Sequence, residues 1–220
     1  MACTVAFTDP RRNRSVSGRL GGMSRPSAVR PPGGPVLQDA VTEAIRAAFF
    51  EELAEAGYGR LSLEAVARRA GSGKAAIYRR WKSKEAMTID LVTQVATTAA
   101  DTPDTGTLRG DVLAFLTATD AALRHPLASR IVPDLLAAGA HHPNIAASLR
   151  DKVAGTRREK VAGILRRAME RGELPPGADL ELGLDLLAGP LYWSTTVRRA
   201  PLDPARLARL ADKVVAALAA

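Results

Sequence analysis

Ala67, Gly71 and Ile77 stand four and then six residues apart inside the stretch LEAVARRAGSGKAAIYRRW. A small residue lets two helices approach closely, a glycine accepts the positive φ of a sharp turn, and an aliphatic side chain fills the space behind the next helix. The spacing therefore predicts two short helices joined by a tight turn. For the first, Ser62 is the expected N-cap, Glu64 lies in the first turn, and Leu63, Val66, Ala67 and Ala70 share one face up to the stop at Gly71. The second is predicted from about Lys74 to Trp81, with Ile77 and Trp81 four residues apart on its inner face.

The flanking sequence keeps the same periodicity. Leu37, Val41, Ile45, Phe49 and Leu53 recur every four residues, the stripe of one long helix that Gly57 should end. Ser83 is placed to cap a longer fourth helix reaching about Ala100. Beyond the DTPDTG loop, helices are predicted near 107–123, 126–138, 144–171, 180–198 and 203–219, with Asn144, Asp179 and Asp203 as N-caps. No stretch alternates as a half-buried strand does. The expected fold is all-α with about nine helices, an N-terminal three-helix helix-turn-helix domain followed by a larger C-terminal helical domain. The expected divisions are a disordered basic arm over 1–35, the helix-turn-helix domain over 36–82 and the larger helical domain over 83–220. The arm is rich in Arg, Ser, Gly and Pro and shows no apolar period with which to build a core.

Charge is segregated in a way that suits a phosphate-facing surface. The net charge is +8. Residues 1–35 hold six arginines against Asp9 alone, and Arg60 to Lys84 hold eight basic residues against Glu64 alone, whereas Leu37 to Gly59 is predominantly acidic. In a helix-turn-helix unit the second helix enters the major groove of double-stranded DNA. Lys74, at its start, could donate to guanine O6 or N7, Ala75 permits close approach or meets a thymine methyl, and Arg79 also reaches bases. Ser62, Tyr78, Arg80 and Lys84 are assigned to phosphate contacts, Lys84 aided by the dipole of the fourth helix. Ala67, Gly71, Ile77 and Trp81 form the core of the unit. The competing reading of the same residues is a solvated basic face.

The run AFFEELAEAGYGRLSLEAVARRAGSGKAAIYRRWKSKEAM, and above all Ala70 to Ala86, resembles the DNA-binding domain of the TetR (TetR/AcrR) family of transcriptional repressors. In that family's pattern a Tyr follows an aliphatic residue in the recognition helix, an aromatic closes the helix, and Ser-Lys-Glu begins the fourth. Here these are Tyr78, Trp81 and Ser83-Lys84-Glu85. The resemblance implies phosphate contacts for Tyr78 and Lys84 and core positions for Ile77 and Trp81. Two residues depart from it: Gly73 stands where Ser usually caps the recognition helix, and Ala76 where a phosphate-binding Thr is usual. The resemblance implies a ligand-responsive regulator, a repressor released from a palindromic operator by a small molecule and acting as a homodimer, with DNA binding over 36–82 and effector binding and dimerisation over 83–220.

In the C-terminal half, Leu207, Leu210, Val214 and Leu218 form an apolar stripe, and Gly183, Ala188 and Gly189 permit close helix contact. With Leu187 and Leu191, this stripe is a candidate dimer interface; the alternative is that it serves the chain's own core. Pro190 should kink its helix just before Tyr192 and Trp193. Phe115, Leu136, Leu165, Met169 and Trp193, with Leu116 and Ile164, are candidates for an effector pocket, and plain core packing is the alternative. Neither a cofactor nor a metal site is expected. His125 and His142 each precede a proline in an apparent turn, and Cys3 is the single cysteine. No nucleophile has an evident base beside it, so no enzymatic role is expected. With no apolar run long enough to span a bilayer, the chain is read as cytoplasmic and without a membrane partner. Two further readings compete: a small-molecule-binding or catalytic helical domain that meets DNA incidentally, and an architectural DNA-binding protein without an effector.

Overall fold

The computed structural model describes residues 35–98, 102–200 and 202–220, with side chains from residue 39 onward except at 97 and 98, and among these it contains helices and no strands. The arm expected over 1–35 thus falls almost entirely outside the described residues, as does the side chain of Leu37. Helix α1 (Pro35–Arg60) is broken near its end by Gly57, whose φ of 75° and ψ of 162° are open to glycine but strained for other residues. Ile45, Phe49 and Leu53 of the predicted stripe are buried, but Val41, one turn nearer the N-terminus, is exposed.

Helices α2 (Leu63–Arg69) and α3 (Lys74–Tyr78) follow. Ser62 caps α2 as expected, its Oγ accepting from the Ala65 N–H at 3.3 Å. Gly71 takes the turn at φ 62°. Gly73 is the N-cap residue of α3 and, having no side chain, makes no capping bond. Ser83 accepts from the Ala86 N–H at 3.0 Å and starts α4 (Lys84–Thr98).

The remaining helices are α5 (Leu108–Leu123), α6 (Ala128–Gly139), α7 (Pro143–Ser148), α8 (Gly155–Glu170), α9 (Leu180–Tyr192) and α10 (Pro204–Leu218). A π-helical turn at Leu149–Ala154 runs α7 into α8 as one rod, so the described residues form nine continuous helices. Asp179 and Asp203 cap α9 and α10, each accepting a backbone N–H three residues on. Asn144 does not cap α7. His142 takes that place with Pro143 as the first helical residue, and the Asn144 amide instead donates to Glu85 of α4 at 2.8 Å. Pro190 lies inside α9, where it cannot donate to the preceding turn, and three residues later the helix widens into a π turn over Trp193–Val197.

Two apolar cores result. The first joins α1 to α4 with Ile131 and Leu135 of α6 and Ile145 of α7. The second joins α5, α8, α9 and α10 around Leu116, Ile164, Leu165, Leu187 and Leu191. Gly183 marks a close approach in the second core: a Cβ there would lie 2.8 Å from a Leu218 methyl and 2.9 Å from a Leu165 methyl.

Candidate nucleic-acid interface

Helix α3 is two-sided. Ile77 is fully buried in the first core and Trp81, just beyond the helix, is nearly so, its indole N–H donating to Asp90 at 2.7 Å. On the other side Lys74, Ala75, Tyr78 and Arg79 are exposed. Tyr78 is a large aromatic half in solvent, an amphipathic ring suited to a surface that meets a partner. The four exposed residues form a strip that α2 and the Gly71 turn hold away from the body of the protein.

The side chains expected on phosphates are less uniform. The Ser62 hydroxyl donates to Glu64 at 3.1 Å while accepting from the Ala65 N–H, so in the free protein it acts as the cap of α2. Arg80 reaches back, donating to Thr42 Oγ1 at 3.1 Å and to the Ala76 carbonyl at 2.8 Å. Lys84 Nζ donates to the carbonyls of Tyr58 at 2.8 Å and Gly59 at 3.3 Å and lies 4.5 Å from the centre of the Tyr58 ring. Two of its three N–H donors thereby fasten α4 to the turn before α2. Lys74 pairs with Glu64 at 3.0 Å, with both groups well exposed, so the pair is weak and opens at little cost to a competing acceptor. Arg69 is withdrawn from the basic surface altogether: Glu51, Glu52 and Glu55 of α1 surround its guanidinium, and its hydrogen bond to Glu55 holds that carboxyl below the usual range.

Tyr58 joins the two halves of the molecule, and nothing in its local sequence marks it. Its N–H donates to Asp134 Oδ2 of α6 at 2.7 Å, its carbonyl holds Lys84, and its ring packs edge-on against His142 with centroids 4.9 Å apart. Burial raises the Tyr58 pKa above the usual phenol value, with the Glu85 charge adding to the shift. Gly57, just before it, is as tightly placed: a Cβ there would come within 2.8 Å of Asp134 Oδ1.

The residues expected to line an effector pocket lie in different settings. Leu165 is sealed in the second core, Phe115 and Met169 pack against it, and Leu136 and Trp193 are 46% and 57% exposed on the surface. The expected dimer residues are likewise corrected. Leu187, Leu191, Leu207 and Val214 are buried and Leu210 half-buried in the chain's own second core, because that stripe is what seats α9 and α10 on α5 and α8. Among the described residues no group of His, Cys, Asp and Glu side chains has the form of a metal site, and no helix is long and apolar enough to cross a membrane.

Residues 45–91 match the bacterial regulatory proteins of the tetR family, and residues 102–214 match the tetracyclin repressor-like C-terminal domain. The chain belongs to the TetR family. A relative in Mycobacteroides abscessus, the DNA-binding transcriptional repressor TetR, is 32% identical over 80% of this chain and 92% of its own length. The HTH-type transcriptional regulator YdeS of Bacillus subtilis is 30% identical over 69% of this chain and 76% of its own. Among solved structures, the TetR family transcription regulator SCO0332 superposes with a TM-score of 0.63 at 30% identity, covering 80% of this chain and 97% of that one. The fold is also that of the regulator FadR from Bacillus subtilis, solved with stearoyl-CoA, at a TM-score of 0.61 and 21% identity over 81% of this chain and 98% of that one. This TetR-family protein is thus a DNA-binding transcriptional regulator, with its helix-turn-helix in α2 and α3.

Proposed function

We propose that the chain works in the cytoplasm as a homodimer that represses transcription from a two-fold operator and leaves it when a small molecule binds the C-terminal part. No catalytic step belongs to this reading. The observation that carries it is the two-sidedness of α3, with Ile77 fully buried and Lys74, Ala75, Tyr78 and Arg79 exposed. Lys74, Ala75 and Arg79 read base edges, Lys74 after leaving Glu64. Tyr78 contacts phosphate, joined by Arg80 and by the third N–H of Lys84. Residues 36–82 serve as the reading head and 83–220 as the sensing and dimerising part. The basic arm over 1–35 adds charge that favours encounter with DNA.

The dimer forms on the outer face of α9 and its π turn. Leu182, Trp193 and Val197 are each about half exposed there, with Gly189 exposed between them. They recur at intervals of seven, four and four residues, a single apolar line on the side of the helix away from the second core. A C2 pair built on this line carries two copies of α3, so each dimer reads two half-sites.

Selection of bound DNA from a random pool tests the reading. Enrichment of one sequence in two inverted copies is expected; enrichment of no sequence, or of an unrepeated one, overturns it. Within the selected site, Lys74→Ala should change base preference, whereas Lys84→Ala should weaken all sequences alike and flatten the salt dependence by about one ion.

A further inference from the structure

A cleft of about 850 Å³ opens between the C-terminal end of α5, the first half of α6 and the π turn after α9. Its wall carries three guanidinium groups, Arg124, Arg130 and Arg199, and the hydroxyls of Ser129, Thr195 and Thr196. Only one lining residue is acidic, Asp134. Arg124 is partly balanced by the buried Asp120, 2.9 Å from its Nε. Arg130 and Arg199 have no ion-pair partner within 4 Å among the described residues, although the charge of Arg130 reaches Glu55 of α1. Arg199 is moreover the one described residue other than glycine with a positive φ, 51°, a conformation disfavoured for a side chain of this kind unless the surroundings impose it. Leu123 and Pro133 complete the wall with apolar surface. The volume lies within the range of small-molecule sites.

We infer that this cleft binds a small amphipathic organic anion, its phosphate or carboxylate on Arg130 and Arg199 and its apolar part against Leu123 and Pro133, and that occupancy there weakens operator binding. Guanidinium pairs suit such groups because each presents parallel N–H donors to two oxygens. The link to DNA runs through Asp134. Its carboxylate lines the cleft and also holds the Tyr58 N–H beside Gly57, at the turn leading into α2. An anion in the cleft repels that carboxylate, so it binds better to an arrangement in which α6 has withdrawn from Tyr58, and such a difference in affinity is what shifts an equilibrium. This inference rests on the ligand-responsive reading above and gives it a site and a ligand class.

The test uses the full-length protein and three probes of equal chain length: octyl phosphate, octanoate and octyltrimethylammonium, measured by calorimetry and by competition with the selected operator. The two anions should bind and the cation should not, with octyl phosphate the tighter. Arg130→Ala/Arg199→Ala should weaken the anions at least about tenfold, the loss expected of charge-assisted hydrogen bonds, and Arg130→Lys/Arg199→Lys should recover part of it. Saturating octyl phosphate should lower operator affinity. Anion binding equal in both variants and the parent, or preference for the cation, overturns the site. Operator affinity unmoved by saturating octyl phosphate overturns the link. If operator release by some other compound survives in the alanine double variant, the ligand-responsive reading stands and this cleft is not its sensor. Circular dichroism melts of both variants confirm that they are folded.

Discussion

Beside the apolar contacts of the first core, a hydrogen bond from the Tyr58 backbone to the Asp134 side chain ties the two halves of the molecule. The Tyr58 N–H faces Asp134 in a half-buried setting, and removing the carboxylate leaves that donor without its partner. Asp134→Ala should cost about 1–3 kcal/mol in denaturant melts. An unchanged midpoint would mean that solvent replaces the bond freely. His125 offers a second test at this scale. Its Nδ1 accepts from the Leu127 N–H at 3.3 Å, which requires that nitrogen to be unprotonated, and burial holds its pKa below the usual imidazole value. The unfolded chain takes up this proton near pH ~6.5 and the folded chain only below that. The contribution of His125 to stability is therefore complete above that pH and declines as pH falls through it toward the lower folded pKa. Melts at pH 7.5 and 5.5 should differ less in His125→Asn, which retains an acceptor but does not titrate; an undiminished difference assigns the pH dependence to other groups.

At the scale of helices, the sequence was most readable where local chemistry decides the outcome. The turn glycine Gly71, the caps Ser62, Ser83, Asp179 and Asp203, and the helix limits in the C-terminal half are all set by neighbours within four residues. Asn144 failed as a cap because Pro143 is itself suited to the first helical position and pushes the boundary back to His142. Amphipathic stripes were harder to interpret. Periodicity shows that Leu187, Leu191, Leu207 and Val214 face something apolar, but a partner chain and the chain's own core leave the same pattern. The Tyr58 to Asp134 tie spans 76 residues and has no sequence signature at all. Helix packing gives a prediction of its own. Gly183→Ala should destabilise the second core by about 1–3 kcal/mol, because its Cβ meets methyls of both Leu218 and Leu165, and in a buried core those side chains must leave their rotamers or their helices must shift. Gly163→Ala in α8, whose Cβ meets only an Arg167 guanidinium nitrogen at 3.8 Å, serves as the control and should melt at or slightly above the parent, because alanine favours the helix over glycine by about 1 kcal/mol. Equal melting of the two variants would show that α9 and α10 yield without cost.

For the whole molecule, the outer line of α9 decides whether two reading heads act together. Trp193→Glu places a charge in the middle of that line while leaving the second core, which Trp193 does not enter, intact. The variant should sediment as a monomer, melt as a folded protein, and lose affinity for a two-half-site operator by far more than for a single half-site. A dimer of unchanged stability would move the interface elsewhere. The first core also has a bearing on how such regulators diversify. Ile131, Leu135 and Ile145 complete the packing around Ile45, Phe49 and Leu53, so the residues that support the reading head lie on both sides of α5 in the chain. A recombination joint placed after α4 would graft a foreign head onto α6 and α7 shaped for another. Exchange of operator specificity between members of this lineage should therefore proceed by substitution along the exposed face of α3, or by transfer of a discontinuous block, rather than by swapping an N-terminal cassette.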